Sequence, residues 1–542
     1  MGKKQDNTLV KNASFLMVAA LVSKIIGMIY KSPLSDMLGN EGFGYFQFAQ
    51  NIYFILLMIA SFSIPQAVSK IMAERLTFHR YRDAQRVFYC ALLYAVVAGG
   101  IVAAVCFFGA EFLVPDNMQN ASLALQMLAP TIFFSGILGV LRGYFQAYRK
   151  MMPTSISQIV EQIMVAVVAL AMTHFMVVHF AGEANDVVHR WSAAGATIGT
   201  GAGVLSALLF MLLVYGINRR TIRRRVHRDR VSKDESMGVL FRRILFIISP
   251  IIFSSFIYNV NGTINSYMFT IIMDVKGVEG ASALYAEYGY YMTLINIPLT
   301  LASTAPTSMI PEVSAHYARG DRKMANAKTD QATWVSMLIS IPSAVGLAVL
   351  AQPITELIFP HTEGHAAQLM MIGAVTIILN GMSNISNGVL QGIGKPNLPM
   401  LHAAIALAAD VVLLAVLLLT TDLGLYAVVL AMVLYAVVMC VLNDRAMKKY
   451  MGYKNPWRYA YLAPLLASIP MGILAAGVYY LLHFFLPQGR LGLVVALVPA
   501  IALAVVAYFL GYLFIAKPSA EDLAGFPGGR TIAGIGRRLG LC

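Results

Sequence analysis

The sequence predicts an all-α polytopic membrane protein of about fourteen transmembrane helices, two parallel-repeat six-helix lobes plus two C-terminal helices. Three observations predict it. The 542-residue chain is 58% hydrophobic and 12% charged, about half the charge of an ordinary soluble protein, too little to cover a water-facing surface. Apolar runs of about 20 residues, the length that crosses a bilayer core as a helix, recur from end to end. Its basic residues, which give a formal net charge of +14, gather in every second loop.

Runs bounded by charge or turn residues place the spans in order. The first six are Leu9–Tyr30, Phe43–Ala67, Val87–Leu113, Leu123–Phe145, Ser155–Val178 and Ala193–Ile217. The next six are Ile244–Met273, Tyr290–Val313, Thr333–Ile354, Leu369–Leu390, Leu398–Leu419 and Leu423–Leu442. Tyr459–Phe485 and Leu491–Ile515 close the series. The resulting division is an amino-terminal lobe 1–217, a basic connector 218–243, a second lobe 244–446, the last two spans within 447–516 and a tail 517–542.

One set of loops holds Lys3, Lys4 and Lys11, then Lys70 to Arg86, Arg149 and Lys150, the run "NRRTIRRRVHRDRVSKDE", Arg319 to Lys323, Lys395, Arg445 to Lys449, and Lys517 onward. The opposite loops carry Glu41, Glu111, Asp116, Glu183, Asp274 and Glu363. This asymmetry puts both termini in the cytoplasm. The basic run after Ile217 reads as a solvated connector touching anionic headgroups, and without interleaved aromatics it gives no nucleic-acid site. Cys90, Cys106 and Cys440 fall in apolar helices and Cys542 ends the chain, so free thiols are expected. The first apolar segment has no small-residue cleavage site after it and is expected to be retained.

The two halves look like copies. "GYFQAYRKMMP" (Gly143 to Pro153) returns as "GVLQGIGKPNLP" (Gly388 to Pro399), and "IPQAVSKIMAERL" after the second span as "IPEVSAHYARGD" after the eighth. A repeat offset by six spans keeps its orientation, the arrangement of a transporter that rocks around a central cavity.

Polar residues at membrane depth need a reason, because an ionised group there costs roughly 2.5–3.5 kcal/mol on insertion scales. Lys24, beside Ser23, sits inside the first span, farther from its cytoplasmic end than a lysine stem reaches, and is expected to face a cavity. Lys31 lies on the same face near the outer end, where snorkelling serves. Gln50 and Asn51 share a side of the second span with Gln47, as substrate contacts or as interhelical glue. Glu161 is the natural partner for a cation, and Arg142 reads as interfacial. The second half offers Asn259, Asn261 and Asn265, Asn296 before Pro298, a face of Asn380, Asn384 and Asn387, and Asp410 among Ala, Val and Leu. Such a carboxylate is either protonated or coordinates a cation. Lysines suit a phosphate, amides and a carboxylate suit sugars or a coupling ion. No GxxxxGK[ST] loop, metal-ligand spacing or acidic loop pair supports an enzyme or a metal site.

The stretch "SKIIGMIYKSPLSDMLGNEGFGYFQFAQNIYFILLMIASFSIPQAVSKIMAE", with "YYMTLINIPLTLASTAPTSMIPEVS" and the two glycine–glutamine–lysine motifs, resembles the stage V sporulation protein B and lipid II flippase-like branch of the multidrug/oligosaccharidyl-lipid/polysaccharide exporter superfamily. The resemblance implies a multi-pass bacterial plasma-membrane flippase with a V-shaped pair of lobes around a cationic cavity. It implies a polyprenyl-pyrophosphate-linked saccharide as substrate, lipid II above all, moved from the inner to the outer leaflet by alternating access, with a tail groove beside the last two spans. Lys24 after Ser23 matches the family's first-helix arginine. Tyr30, Gln50 or Asn51, and the Thr293 to Asn296 region stand where its other cavity arginines do. Asn259 and Asp410 are nearest to its sodium site. No cofactor is expected, and Na+, H+ or the membrane potential is the coupling source. The bilayer and cell-wall synthesis enzymes are the partners this reading admits. A flippase for another lipid-linked glycan, of capsule or spore coat, and a cation-coupled drug exporter remain as alternatives.

Overall fold

The computed structural model describes residues 19 to 516, apart from 20, 63, 233–235, 279, 308 and 488. The start of the opening helix, the amino-terminal lysines, the tail 517–542 and Cys542 lie outside the described residues. Within them the chain is helical, with no strand, and clusters into two compact units, Met1–Ala286 and Glu287–Cys542.

The first unit runs through α1 (residues 21–29), α2 (Lys31–Leu57), a π turn at Met58–Phe62, α3 (Ile64–Thr77), α4 (Tyr81–Phe108), the short α5 (Ala110–Leu113), α6 (Ala121–Ala147), α7 (Met152–His179), α8 (Asn185–His227) and α9 (Met237–Val275). The unit boundary falls inside α10 (Ala281–Thr307). The second unit holds α11 (Ile310–Ala318), α12 (Arg322–Val349), α13 (Ala351–Ile358), α14 (His365–Gly373), α15 (Val375–Gly392), α16 (Asn397–Thr420), α17 (Leu425–Met451), α18 (Ala463–Phe485) and α19 (Arg490–Ala516). Among the described residues ten helices are long and apolar enough to cross a membrane, or eleven if the bent pair α14 and α15 is one span. With α1, the 39-residue α9 and the 27-residue α10, these follow the order the sequence predicts.

Each unit has its own core. In the first, Met72, Phe88, Leu141, Tyr144 and Met211 bury the seam of α3, α4, α6 and α8. In the second, α18 and α19 pack on α12, where the Trp334 indole donates to the Tyr512 hydroxyl at 2.6 Å. Cys90, Cys106 and Cys440 are buried free thiols.

Three departures from the predicted boundaries have local causes. The first span does not end at Tyr30. It continues to Gly39, whose φ of +64° and ψ of 178° only glycine adopts at little cost, and the second span starts there. His189 closes this corner, its Nδ1 lying 3.1 Å from the Leu38 carbonyl. The tenth span is bent by 46° between α14 and α15. No proline causes this; the Thr376 hydroxyl donates to the Gly373 carbonyl at 2.6 Å, competing with the helical ladder. Finally, α8 runs on for ten residues past Ile217, so the connector begins as helix. Beyond it, Asp229 clasps the start of α4, accepting from the Arg82 amide at 2.7 Å and the Ser232 hydroxyl at 2.6 Å. Burial raises the Asp229 pKa, but these bonds and those from the Val231 and Ser232 amides outweigh it and hold the carboxyl at about 2. A depressed carboxyl stabilises above its ordinary value of about 4. The clasp is therefore expected to be complete above that pH and to be lost as pH falls through about 2. Asp229→Asn should loosen it at neutral pH, read as faster tryptic cleavage at Arg228 and Arg230.

The internal copy is visible in backbone detail, turn by turn. Helix α6 ends with the Lys150 amide on the Phe145 carbonyl at 3.0 Å, and α15 ends with the Lys395 amide on the Leu390 carbonyl at 2.9 Å. The left-handed residue that closes each turn is Arg149 (φ +57°) in one unit and Gly394 (φ +81°) in the other. His79 (φ +58°) and Gly320 (φ +80°) likewise close α3 and α11. The close packing also repeats. A Cβ on Gly143 would meet the Pro65 carbonyl at 2.7 Å, and one on Gly388 would strike the Ile310 side chain. A left-handed residue costs a non-glycine side chain roughly 1–2 kcal/mol, against roughly 0.5–1 kcal/mol of glycine chain entropy. Arg149→Gly is thus expected to stabilise the chain by about 0.5–1 kcal/mol, seen as a higher midpoint of thermal unfolding in detergent.

Candidate functional site

The opening helix comes close to α7 at a small residue. A Cβ on Gly27 would stand 3.3 Å from Gln162 Oε1 of α7, so glycine lets α1 approach α7 on this face. Ser23 lies half-buried beside it, and Lys24 falls on the exposed side with Ile25 and Ile29. Lys24 precedes the break at Gly39 by about 22 Å of helix at 1.5 Å per residue, placing its ammonium well below the outer end of the span. Among the described residues it makes no ion pair. Lys31 is half-buried at the start of α2.

A second cation in a spanning helix of this unit is neutralised within the protein. Arg142 on α6 reaches across the hairpin to α7, its Nη2 2.6 Å from Glu161 Oε2. Its Nε donates to the Ser157 hydroxyl at 3.0 Å. Both side chains are mostly buried, at 16% and 20% exposure. Arg142 is therefore the cation that Glu161 holds.

Gln50 and Asn51 point inward along α2. Gln50 Nε2 donates to the Thr200 hydroxyl of α8 at 2.9 Å. Asn51 Nδ2 donates to the Ser266 hydroxyl of α9 at 2.8 Å and to the Tyr285 hydroxyl at 2.7 Å. Both amides join helices, and Asn51 draws α9 against α2. On α9, Asn259 is half-buried while Asn261 and Asn265 are buried.

In the second unit Asn296 is exposed on α10, its Nδ2 donating back to the Met292 carbonyl at 2.8 Å. Asp410 on α16 is fully buried. On the same stripe, two turns earlier, His402 starts a chain that the sequence did not single out. Asn443 Nδ2 of α17 donates to Asn387 Oδ1 of α15 at 2.8 Å, which leaves Asn443 Oδ1 to accept from His402 Nδ1 at 2.7 Å. Three helices are joined through buried polar groups, and every such group left unpaired would cost about 1–3 kcal/mol. Asparagines are neutral glue at ordinary hydropathy, so only the tertiary register reveals that His402 and Asn443 meet.

A family profile described as "Polysaccharide biosynthesis protein" matches residues 9–317, more than half the chain, and a second, described as "MatE", matches residues 250–417. The chain is 24% identical to the "Lipid II flippase MurJ" of Bacillus subtilis (strain 168) over 549 residues, covering 96% of this chain and 98% of that protein. It is also 24% identical to the "Stage V sporulation protein B" of the same organism over 448 residues, covering 82% of this chain and 84% of that protein. Its fold is similar to a solved structure of "Lipid II flippase MurJ, inward closed conformation", with a TM-score of 0.65 at 14% identity, covering 92% of this chain and 97% of that one. It is also similar to an outward-facing multidrug resistance MATE family transporter of the MOP superfamily, with a TM-score of 0.59 at 15% identity, covering 82% of this chain and 95% of that one.

Proposed function

We propose, for a chain that belongs to the polysaccharide biosynthesis protein family, that it is a flippase carrying a polyprenyl-pyrophosphate-linked saccharide, lipid II, from the inner to the outer leaflet. The observation that carries this reading is Lys24. A cation inside a membrane span is expensive, and Arg142 meets that expense with Glu161, whereas Lys24 makes no ion pair among the described residues. An ammonium kept at that depth without a protein carboxylate is a receptor for an anion brought from elsewhere, and phosphate is the anion of a lipid-linked sugar. Ser23 and Lys31 flank it on the same helix, and the duplicated halves suit alternating access.

Coupling is assigned to Asp410, a buried carboxylate that takes up a cation, with the membrane potential as a further source. Moving one charge through 100 mV supplies about 2.3 kcal/mol, enough to bias two conformations roughly fiftyfold. Both termini lie in the cytoplasm on the distribution of basic loops. A second reading, a flippase for a different lipid-linked glycan, draws support from the equal identity to the sporulation protein.

The test is translocation in proteoliposomes loaded with lipid II or with another undecaprenyl-pyrophosphate glycan. Faster movement of lipid II supports the first reading, and preference for the other glycan supports the second. Export of organic cations with neither lipid moving would overturn both.

A further inference from the structure

Away from the residues above, the first unit carries an open cavity of about 780 Å³ at the basic ends of α4, α6 and α8. Its floor is aromatic and ordered. Phe88 stacks on Tyr215 with ring centroids 5.3 Å apart, and Gln85 Nε2 donates to the Tyr215 hydroxyl at 2.9 Å, tying α4 to α8. Its rim is cationic: Arg82 and Arg86 from the first turns of α4, Arg219 and Arg223 from α8, with His227 beyond. No carboxylate is among the described lining residues. Arg219 and Arg223 are exposed and make no ion pair among the described residues.

The cavity also opens onto apolar surface. Tyr89, Leu93 and Val96 on α4 and Leu205, Leu209 and Leu212 on α8 are exposed, so two bare apolar faces run from it along the spans. A Cβ on Gly216, which lies on the wall, would meet nothing within 4 Å. The helix end is not the attraction, because Asp229 and Ser232 already take the first amides of α4.

We infer that this cavity is a binding site for an anionic glycerophospholipid of the inner leaflet, its phosphate held by the forked guanidiniums of Arg219 and Arg223 and its acyl chains laid along α4 and α8. Guanidinium pairs match phosphate oxygens, and basic pockets between spans on the cytoplasmic side are where acidic headgroups settle. The inference is independent of what the protein transports. Glycerophospholipid is favoured over free phosphate because the floor and both faces are apolar.

Native mass spectrometry of the full chain, titrated with dioleoylphosphatidylglycerol or dioleoylphosphatidylcholine, tests it. The wild type is expected to hold one phosphatidylglycerol about tenfold more tightly than phosphatidylcholine. R219Q/R223Q removes that preference, while R319Q/R322Q, which takes two exposed arginines from the second unit, leaves it intact. Gly216→Leu fills the wall without altering charge and should also weaken retention about tenfold. Equal retention of the two lipids overturns the inference, as does an unchanged preference in Gly216→Leu. Loss of the preference in R319Q/R322Q, or displacement of the lipid by millimolar inorganic phosphate, overturns it too.

Discussion

Lys24→Ala is expected to slow translocation of a lipid-linked saccharide about ten- to hundredfold while leaving the protein as stable as before, or more so. Hydrogen bonds to a charged group contribute about 1.5–3 kcal/mol, and each 1.4 kcal/mol is a factor of ten. The ammonium makes no ion pair within the described chain, so its removal strands no carboxylate. It also removes a charge that costs roughly 2.5–3.5 kcal/mol to insert. A loss of transport together with a level or higher unfolding temperature is the signature of a group kept for function. Lys24→Arg keeps the charge and adds a fork, and should retain most of the rate. Full transport by Lys24→Ala would remove this residue from the mechanism.

Glu161→Ala is expected to behave in the opposite manner, lowering stability by roughly 2–4 kcal/mol. Breaking a largely buried ion pair from one side leaves an uncompensated charge, commonly at a cost of about 3–5 kcal/mol; the partial exposure here reduces it. Among the described residues Arg142 would keep only its bond to Ser157. Replacing both partners by leucine removes the stranded charge and should recover most of the loss, as buried pairs often do. A double-mutant cycle on unfolding in mixed micelles measures this. Additive losses from the two single changes would show that the pair contributes nothing as a pair.

These two residues also mark how far the sequence could be read. The order of spans followed from composition and from the length of the apolar runs. Those are properties of one helix against a bilayer. The partner of Glu161 is a property of two helices, and periodicity gives the face of each but not their register. Gly39 escaped for a related reason: one left-handed residue inside a helical pattern leaves hydropathy unchanged, so the first span was ended nine residues early at Tyr30. His402 and Asn443 are far apart in sequence and unremarkable singly; only packing of α15, α16 and α17 joins them. The arginine-rimmed cavity was half legible, because the run after Ile217 announced charge but not the helical continuation that lines it up with Arg82 and Arg86.

That continuation has a mechanical consequence. Gly195, Gly199 and Gly203 let α8 seat directly on the backbone of α7, where a Cβ at Gly203 would press on the Glu161 carbonyl. From Gly199 to Arg223 the helix is unbroken, about 36 Å at 1.5 Å per residue. A stiff rod pivoting on its glycine seam is a lever. Tilting it by about 10° sweeps the guanidiniums roughly 6 Å, so whatever grips that tip also has leverage on the hairpin that carries Arg142 and Glu161.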